Sequence, residues 1–255
     1  MNRIIIQTEG LEKSFGSLLV LNKIDFAMTE GELCSMIGPN GAGKTTFFNV
    51  LTHKLKADNG KVLLCGEDIT GLSIHEINRR GISRAFQIVN IFPRLTVFES
   101  LLGVLITAHK RNLNMFSRAK NHADIRQEAF SILEAVGLGE RANVIAGTLA
   151  HGDKRRLDIA IALASRPKVM LLDEPTAGMS AEETVAMTEL IRRVRDEQRV
   201  TILFTEHDMN VVFAIAERIV VLHQGRLIAD GKPEVVRDNK NVIEAYLGGA
   251  SVTSG

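Results

Sequence analysis

Six short runs rich in apolar and β-branched residues punctuate the chain, at Arg3 to Thr8, Glu32 to Ile37, Lys61 to Leu64, Val169 to Leu172, Val200 to Phe204 and Arg218 to Leu222. Their length and content predict strands. Several are followed by stretches with apolar residues at helical spacing, an alternation that predicts an α/β fold with a largely parallel sheet. Between about Phe92 and Ser165 the strand pattern vanishes. Helical spacing takes over at Val97 to Ala108, Ile125 to Val136 and Asp153 to Ala164, separated by glycines and polar residues. This predicts one domain over residues 1–255 with a helical subdomain, about 92–165, inserted in an α/β core. The basic segment HKRNLNMFSRAKNH within the insert reads as a solvated helix or loop, or as a contact with lipid headgroups or a partner.

Composition narrows the function classes. With 255 residues, 45% of them hydrophobic, the chain can bury a sizeable core. A net charge of +1, from 31 basic and 30 acidic residues, argues against nucleic acid as a partner, because a phosphate backbone calls for a basic surplus. Cys34 and Cys65 are the only cysteines, sit in apolar runs and lack metal-ligand spacing, which suits two core thiols in a reducing compartment. The amino-terminal MNRIIIQTEG is too short in apolar residues for the core of a signal peptide. No apolar stretch approaches the roughly 18 residues that span a bilayer, so the chain is not expected to cross a membrane alone.

The chemistry begins at residues 38–46, GPNGAGKTT, which follow the apolar LCSMI and precede FFNVL. Gly38, Gly43, Lys44 and Thr45 satisfy G-x-x-x-x-G-K-[ST] in its required strand–loop–helix context. Across Gly38, Pro39, Asn40, Gly41, Ala42, Gly43, Lys44, Thr45 and Thr46, backbone N–H groups would turn inward around a phosphate. Lys44 would add charge at the β and γ oxygens, and the Thr45 hydroxyl would ligate Mg²⁺. Such a site needs a carboxylate for the metal and an aligned water for hydrolysis. KVMLLDEPTAGM supplies both: Asp173 ends a fully apolar strand where it can hold Mg²⁺, and Glu174 follows as the group to accept the water's proton.

These motifs and their order resemble the ATP-binding subunits of ABC transporters, over about Ile5 to Gly248. The resemblance implies a P-loop NTPase core with a mostly parallel sheet, an antiparallel β subdomain and an inserted helical subdomain, with ATP and Mg²⁺ bound. It places an adenine-stacking aromatic at Phe15, for which core packing is an equal reading. Gln87, in SRAFQIVNIFPRLTVFES, matches the glutamine loop that touches Mg²⁺ or the attacking water. His207, after TILFTE, matches the switch histidine at the γ-phosphate, and Thr176 to Ser180 the segment that crosses to a partner subunit. LAHGD, containing Ala150, His151, Gly152 and Asp153, stands where the family carries LSGGQ, the helix start presented to ATP on the other subunit. Ala150 and His151 depart from that pattern, and His151 either donates to the phosphate or points to solvent.

The resemblance further implies a head-to-tail pair of nucleotide-binding subunits, alike or paralogous, peripheral on the cytoplasmic face of the membrane. They would drive separate transmembrane permease subunits and serve a solute-binding protein indirectly. Coupling would run near Ile88 to Ser100, where Ile91, Phe92 and Leu95 are either partner contacts or core. Within the family, FPRLTVFES, HGDKRRLDIA, LLDEPTAGM and NVIEAYLGG are similar to the branched-chain amino acid importer type. A lipopolysaccharide-exporter type and a soluble ATPase switch remain alternatives. A P-loop GTPase or kinase gives LAHGD and His207 no role.

Overall fold

The computed structural model describes residues 3–85, 92–110 and 120–247. Its centre is a six-stranded sheet of order β10-β9-β3-β8-β7-β6. These strands are β3 (Leu33–Ile37), β6 (Ile82–Ala85), β7 (Val169–Asp173), β8 (Thr201–Thr205), β9 (Arg218–His223) and β10 (Arg226–Gly231). All neighbours pair parallel except β10, which returns antiparallel on β9. A second, four-stranded antiparallel sheet joins β1 (Ile4–Phe15), β2 (Leu18–Thr29), β4 (Asn59–Leu64) and β5 (Glu67–Asp68) in the order β2-β1-β4-β5.

Two-residue periodicity divides the core in two. In β3 and β7, Leu33, Ile37, Met170 and Leu172 face one cluster, and Cys34, Met36, Val169 and Leu171 face the other. The second cluster is closed by the antiparallel sheet and by Phe47, Phe48 and Leu51 of helix α1 (Lys44–Leu51). The first is closed by α3 (Val97–Lys110), α4 (Lys120–Ala135), α5 (His151–Ala164) and α6 (Ala181–Gln198). Because β3, β7 and β8 are buried on both faces, they read as continuous apolar runs, as parallel strands covered by helices do.

The remaining helices are α2 (Ile74–Arg80), α7 (Met209–Ile215), α8 (Pro233–Arg237) and α9 (Lys240–Leu247). Among the described residues of 92–164, the chain is helix and turn, with one isolated bridge between Thr96 and Ile145. Cys34 is fully buried within the second cluster, while Cys65, at φ 54, is half-buried and packed against it; both are free. Among the described residues, no helix is long and apolar enough to cross a membrane.

Candidate functional site

The site lies at the carboxyl ends of the parallel strands, where open α/β sheets receive ligands. β3 ends at Ile37 and the chain turns at Gly38, whose φ is 153° and where a Cβ would stand 2.0 Å from the Leu222 carbonyl oxygen. Gly43 closes the loop at φ 109°, with no room for a side chain beside the Val20 carbonyl. Only glycine meets both demands. As the first residue outside α1, Gly43 brings no side chain to cap it, so the helix's leading N–H groups remain available to an anion.

Lys44 is buried beneath this loop, its Nζ donating to the carbonyls of Gly38 at 2.5 Å and Pro39 at 3.2 Å. Burial lowers its pKa from the ordinary lysine value, opposed by the charges of Glu174 and Asp173. The cation, the loop N–H groups and two carboxylates therefore share one locality. Thr45 is exposed at the start of α1, and Thr46 is half-buried.

Asp173 closes β7, paired with Thr205 of β8, whose Oγ1 donates to Asp173 Oδ1 at 2.8 Å. Its Oδ2 accepts from Arg84 Nη2 at 2.6 Å. Glu174 takes a left-handed φ of 50°, held by its N–H to the Thr205 carbonyl at 3.1 Å. This kink carries its Oε1 to 2.8 Å from His207 Nε2, and both side chains are exposed. The two residues that the sequence reading assigned to the water and the γ-phosphate thus meet although 33 positions separate them.

Two residues at this edge were not expected from the sequence. Arg84 joins Asp173 to Asn49, whose Oδ1 accepts from Nη1 at 2.6 Å. Glu206 is buried and accepts from the Thr176 N–H at 2.8 Å and hydroxyl at 2.7 Å, while Oε2 accepts from the His207 N–H at 3.1 Å. It thereby fixes the loops that carry Glu174 and His207.

The LAHGD stretch forms the start of α5, with Ala150 in the capping position and no side-chain cap. His151 is exposed, and its Nε2 lies 3.3 Å from the Ala177 carbonyl and 3.5 Å from Arg155 Nε. Gly152 is buried against α6: an added Cβ would stand 3.1 Å from Glu183 Oε1. Asp153 is buried in an ion pair with Arg141, which leaves its backbone, not its carboxylate, for any ligand at the helix end.

Phe15 is 49% exposed at the end of β1, with Lys13 Nζ 5.7 Å from its ring centroid, so its core reading does not hold. Gln87, Ile88 and Ile91 lie outside the described residues, and Phe92 and Leu95 are exposed. Among the described residues, no group of three or more His, Cys, Asp or Glu side chains could hold a metal without further ligands.

Comparisons with known proteins agree with this geometry. Residues 21–177 match the ABC transporter family, and residues 226–252 match the family of branched-chain amino acid ATP-binding cassette transporters. The chain is 44% identical to the high-affinity branched-chain amino acid transport ATP-binding protein BraF of Pseudomonas aeruginosa, over 98% of this chain and 100% of BraF. Its fold is similar to the ADP conformation of MJ1267, an ATP-binding cassette of an ABC transporter, with a TM-score of 0.84 and 29% identity over 96% of this chain and 99% of that one. It is also similar to the dimeric post-hydrolysis state of the cassette MJ0796 bound to ADP and Pi, with a TM-score of 0.76 and 27% identity over 90% and 99% of the two chains. Matches of this extent, in sequence and in fold, place the chain in the ABC transporter family, as an ATP-binding subunit that hydrolyses ATP.

Proposed function

We propose that this chain powers the import of branched-chain amino acids, or of closely related small solutes, through separate membrane subunits. The observation that carries the reading is the gathering of Lys44, Asp173, Glu174 and His207 at one sheet edge beside an uncapped helix start. The solute class is supported by the carboxyl-terminal family match and by the likeness to BraF. The domain is organised as an α/β core with a helical subdomain over about 92–165, docked peripherally on the cytoplasmic face of the membrane.

In this reading the loop N–H groups and Lys44 bind the β- and γ-phosphates of ATP. Glu174 Oε1 accepts the proton of the attacking water, and His207 orients Glu174 and reaches the γ-phosphate. Phe15 offers its exposed ring to the base. The Thr45 hydroxyl and the Asp173 carboxylate are hard oxygen donors of the kind Mg²⁺ takes alongside nucleotide phosphates, and Gln87, outside the described residues, would touch the ion or the attacking water. When bound, the ion would offset charge on the phosphate oxygens. A second subunit would present its Ala150-to-Asp153 helix start to the same nucleotide, and the resemblance to the dimeric cassette supports that pairing.

Replacing Glu174 with Gln tests this assignment. The variant should bind ATP with Mg²⁺, fail to hydrolyse it and accumulate as a dimer in gel filtration, because a ligand trapped in the closed pair stabilises it by mass action. Wild-type turnover in Glu174→Gln would remove Glu174 from the chemistry, and a monomer at saturating nucleotide would remove the head-to-tail pair.

A further inference from the structure

Arg84 is a cation at this edge to which the reading above gives no role. It leaves β6 between β7 and α1, with its side chain only 8% exposed. Nη2 donates to Asp173 Oδ2 and Nη1 to Asn49 Oδ1, each at 2.6 Å. Its Cζ lies 5.5 Å from the centroid of the Phe48 ring, while Nε is buried without a partner. The plane of the guanidinium is therefore set by its two Nη bonds and the aromatic face, and a rigid planar fork holds two separated N–H groups toward acceptors on different elements, a fixed span that a compact ammonium lacks.

Those two elements carry the proposed metal-binding groups. Asn49 lies four residues after Thr45 on α1, on the same helix face and one turn along. Asp173 is the other ligand, and Thr205 already holds its Oδ1. We propose that Arg84 is a positioning residue that clamps the end of β7 to the helix leaving the phosphate loop, so that the Asp173 carboxylate and the Thr45 hydroxyl are held as one preformed unit. This rests on the reading that those two groups hold Mg²⁺. Residues that orient metal ligands from behind typically change metal affinity by about 10- to 100-fold when lost, without touching the ion.

The test is a Mg²⁺ titration of fluorescent ATP-analogue binding, run on the full chain beside a parallel measurement in EDTA. In Arg84→Met the Mg²⁺ midpoint should rise by about tenfold or more while binding in EDTA stays at the wild-type level. Arg84→Lys should recover part of the loss, because one ammonium reaches one of the two acceptors. Asn49→Ala, which removes the acceptor at the far end of the clamp, should shift the midpoint the same way by less. An unchanged midpoint overturns the proposal, and a lowered one overturns it by showing that the guanidinium competes with the metal. Equal loss with and without Mg²⁺ overturns it in favour of a role in folding alone. Should Arg84→Met fail to fold, the Asn49→Ala titration decides by the same criteria. A wild-type protein whose nucleotide binding ignores Mg²⁺ would instead bring down the Asp173–Thr45 reading itself.

Discussion

Helices α1 and α5 both start without a side-chain cap, in a chain where α2 and α6 start with complete capping boxes built on Ser73 with Glu76 and Ser180 with Glu183. A capping box satisfies N–H groups internally; an uncapped start leaves them for something else. At α1 the open end is backed by a buried cation and by glycines that no other residue could replace. At α5 the open end has neither. Its first residues are an alanine, an exposed histidine and a glycine packed on α6, and its nearest carboxylate is tied to Arg141. In the proposed two-subunit site the two ends would be unequal halves: α1 brings charge as well as N–H groups, whereas α5 would bring N–H groups and a helix dipole alone.

Removing the charge at α1 should produce the largest effect. Lys44→Ala deletes the one side-chain cation of the loop, and turnover should fall to background with ATP affinity weakened by at least tenfold, since hydrogen bonds to charged groups are worth about 1.5–3 kcal/mol each. Circular dichroism should show an intact fold. An ATPase rate near wild type would erase the contrast between the two helix ends.

Adding charge at α5 comes next. Gly152→Asp puts a carboxylate beside Glu183, because the new Cβ meets the Glu183 carboxylate at 3.1 Å. It would repel a group that accepts from the Ser180 N–H at 2.9 Å, as well as any phosphate approaching the helix start. Steady-state ATPase assays with the membrane subunits present should find no activity in Gly152→Asp and substantial activity in Gly152→Ala, where only the flexible end of Glu183 must shift. Equal loss in both would make the packing on α6, not the charge, the reason for the glycine. Normal turnover in Gly152→Asp would mean that α5 never meets the nucleotide.

The two ends also differ in how far the sequence reveals them. The phosphate loop was legible because its backbone needs glycines at fixed spacing between an apolar strand and a helix, and the apolar run Val169 to Leu172 marked where Asp173 and Glu174 would emerge. Parallel strands buried on both faces declared themselves in the same way. β2 did not, because register shifts against β1 between Leu11 and Lys13 and between Lys13 and Ser14 break the two-residue alternation ahead of Ile24, leaving only Ile24, Phe26 and Met28 to alternate inward. β6 is four residues long with two polar side chains, below what a pattern can signal. Arg84 and Glu206 were invisible for a different reason. Their partners lie 89 and 30 positions away, and only the folded sheet brings them together. At α5, the departure from LSGGQ was visible in the letters, but the engagement of Asp153 with Arg141 was not.

The smallest effect should come from giving α5 the side chain it lacks. Ala150 stands at the capping position with φ −60° and ψ 161°, the extended geometry from which a serine hydroxyl reaches the second or third N–H of the helix. Ala150→Ser then has two partners to choose between. If the hydroxyl caps its own helix, it should stabilise the isolated chain by about 0.5–2 kcal/mol, read as about 2–4 °C in Tm for each kcal/mol in a domain of this size. It would also occupy N–H groups that a phosphate could use, and turnover should stay unchanged. If the hydroxyl faces the nucleotide instead, Tm without nucleotide should not move, and turnover with the membrane subunits present should rise. A fall in both would show that the α5 start has no room for one oxygen. Melting curves without nucleotide, set beside ATPase rates, separate these outcomes, and a rise in Tm at constant rate would mean that this uncapped end works through its backbone alone.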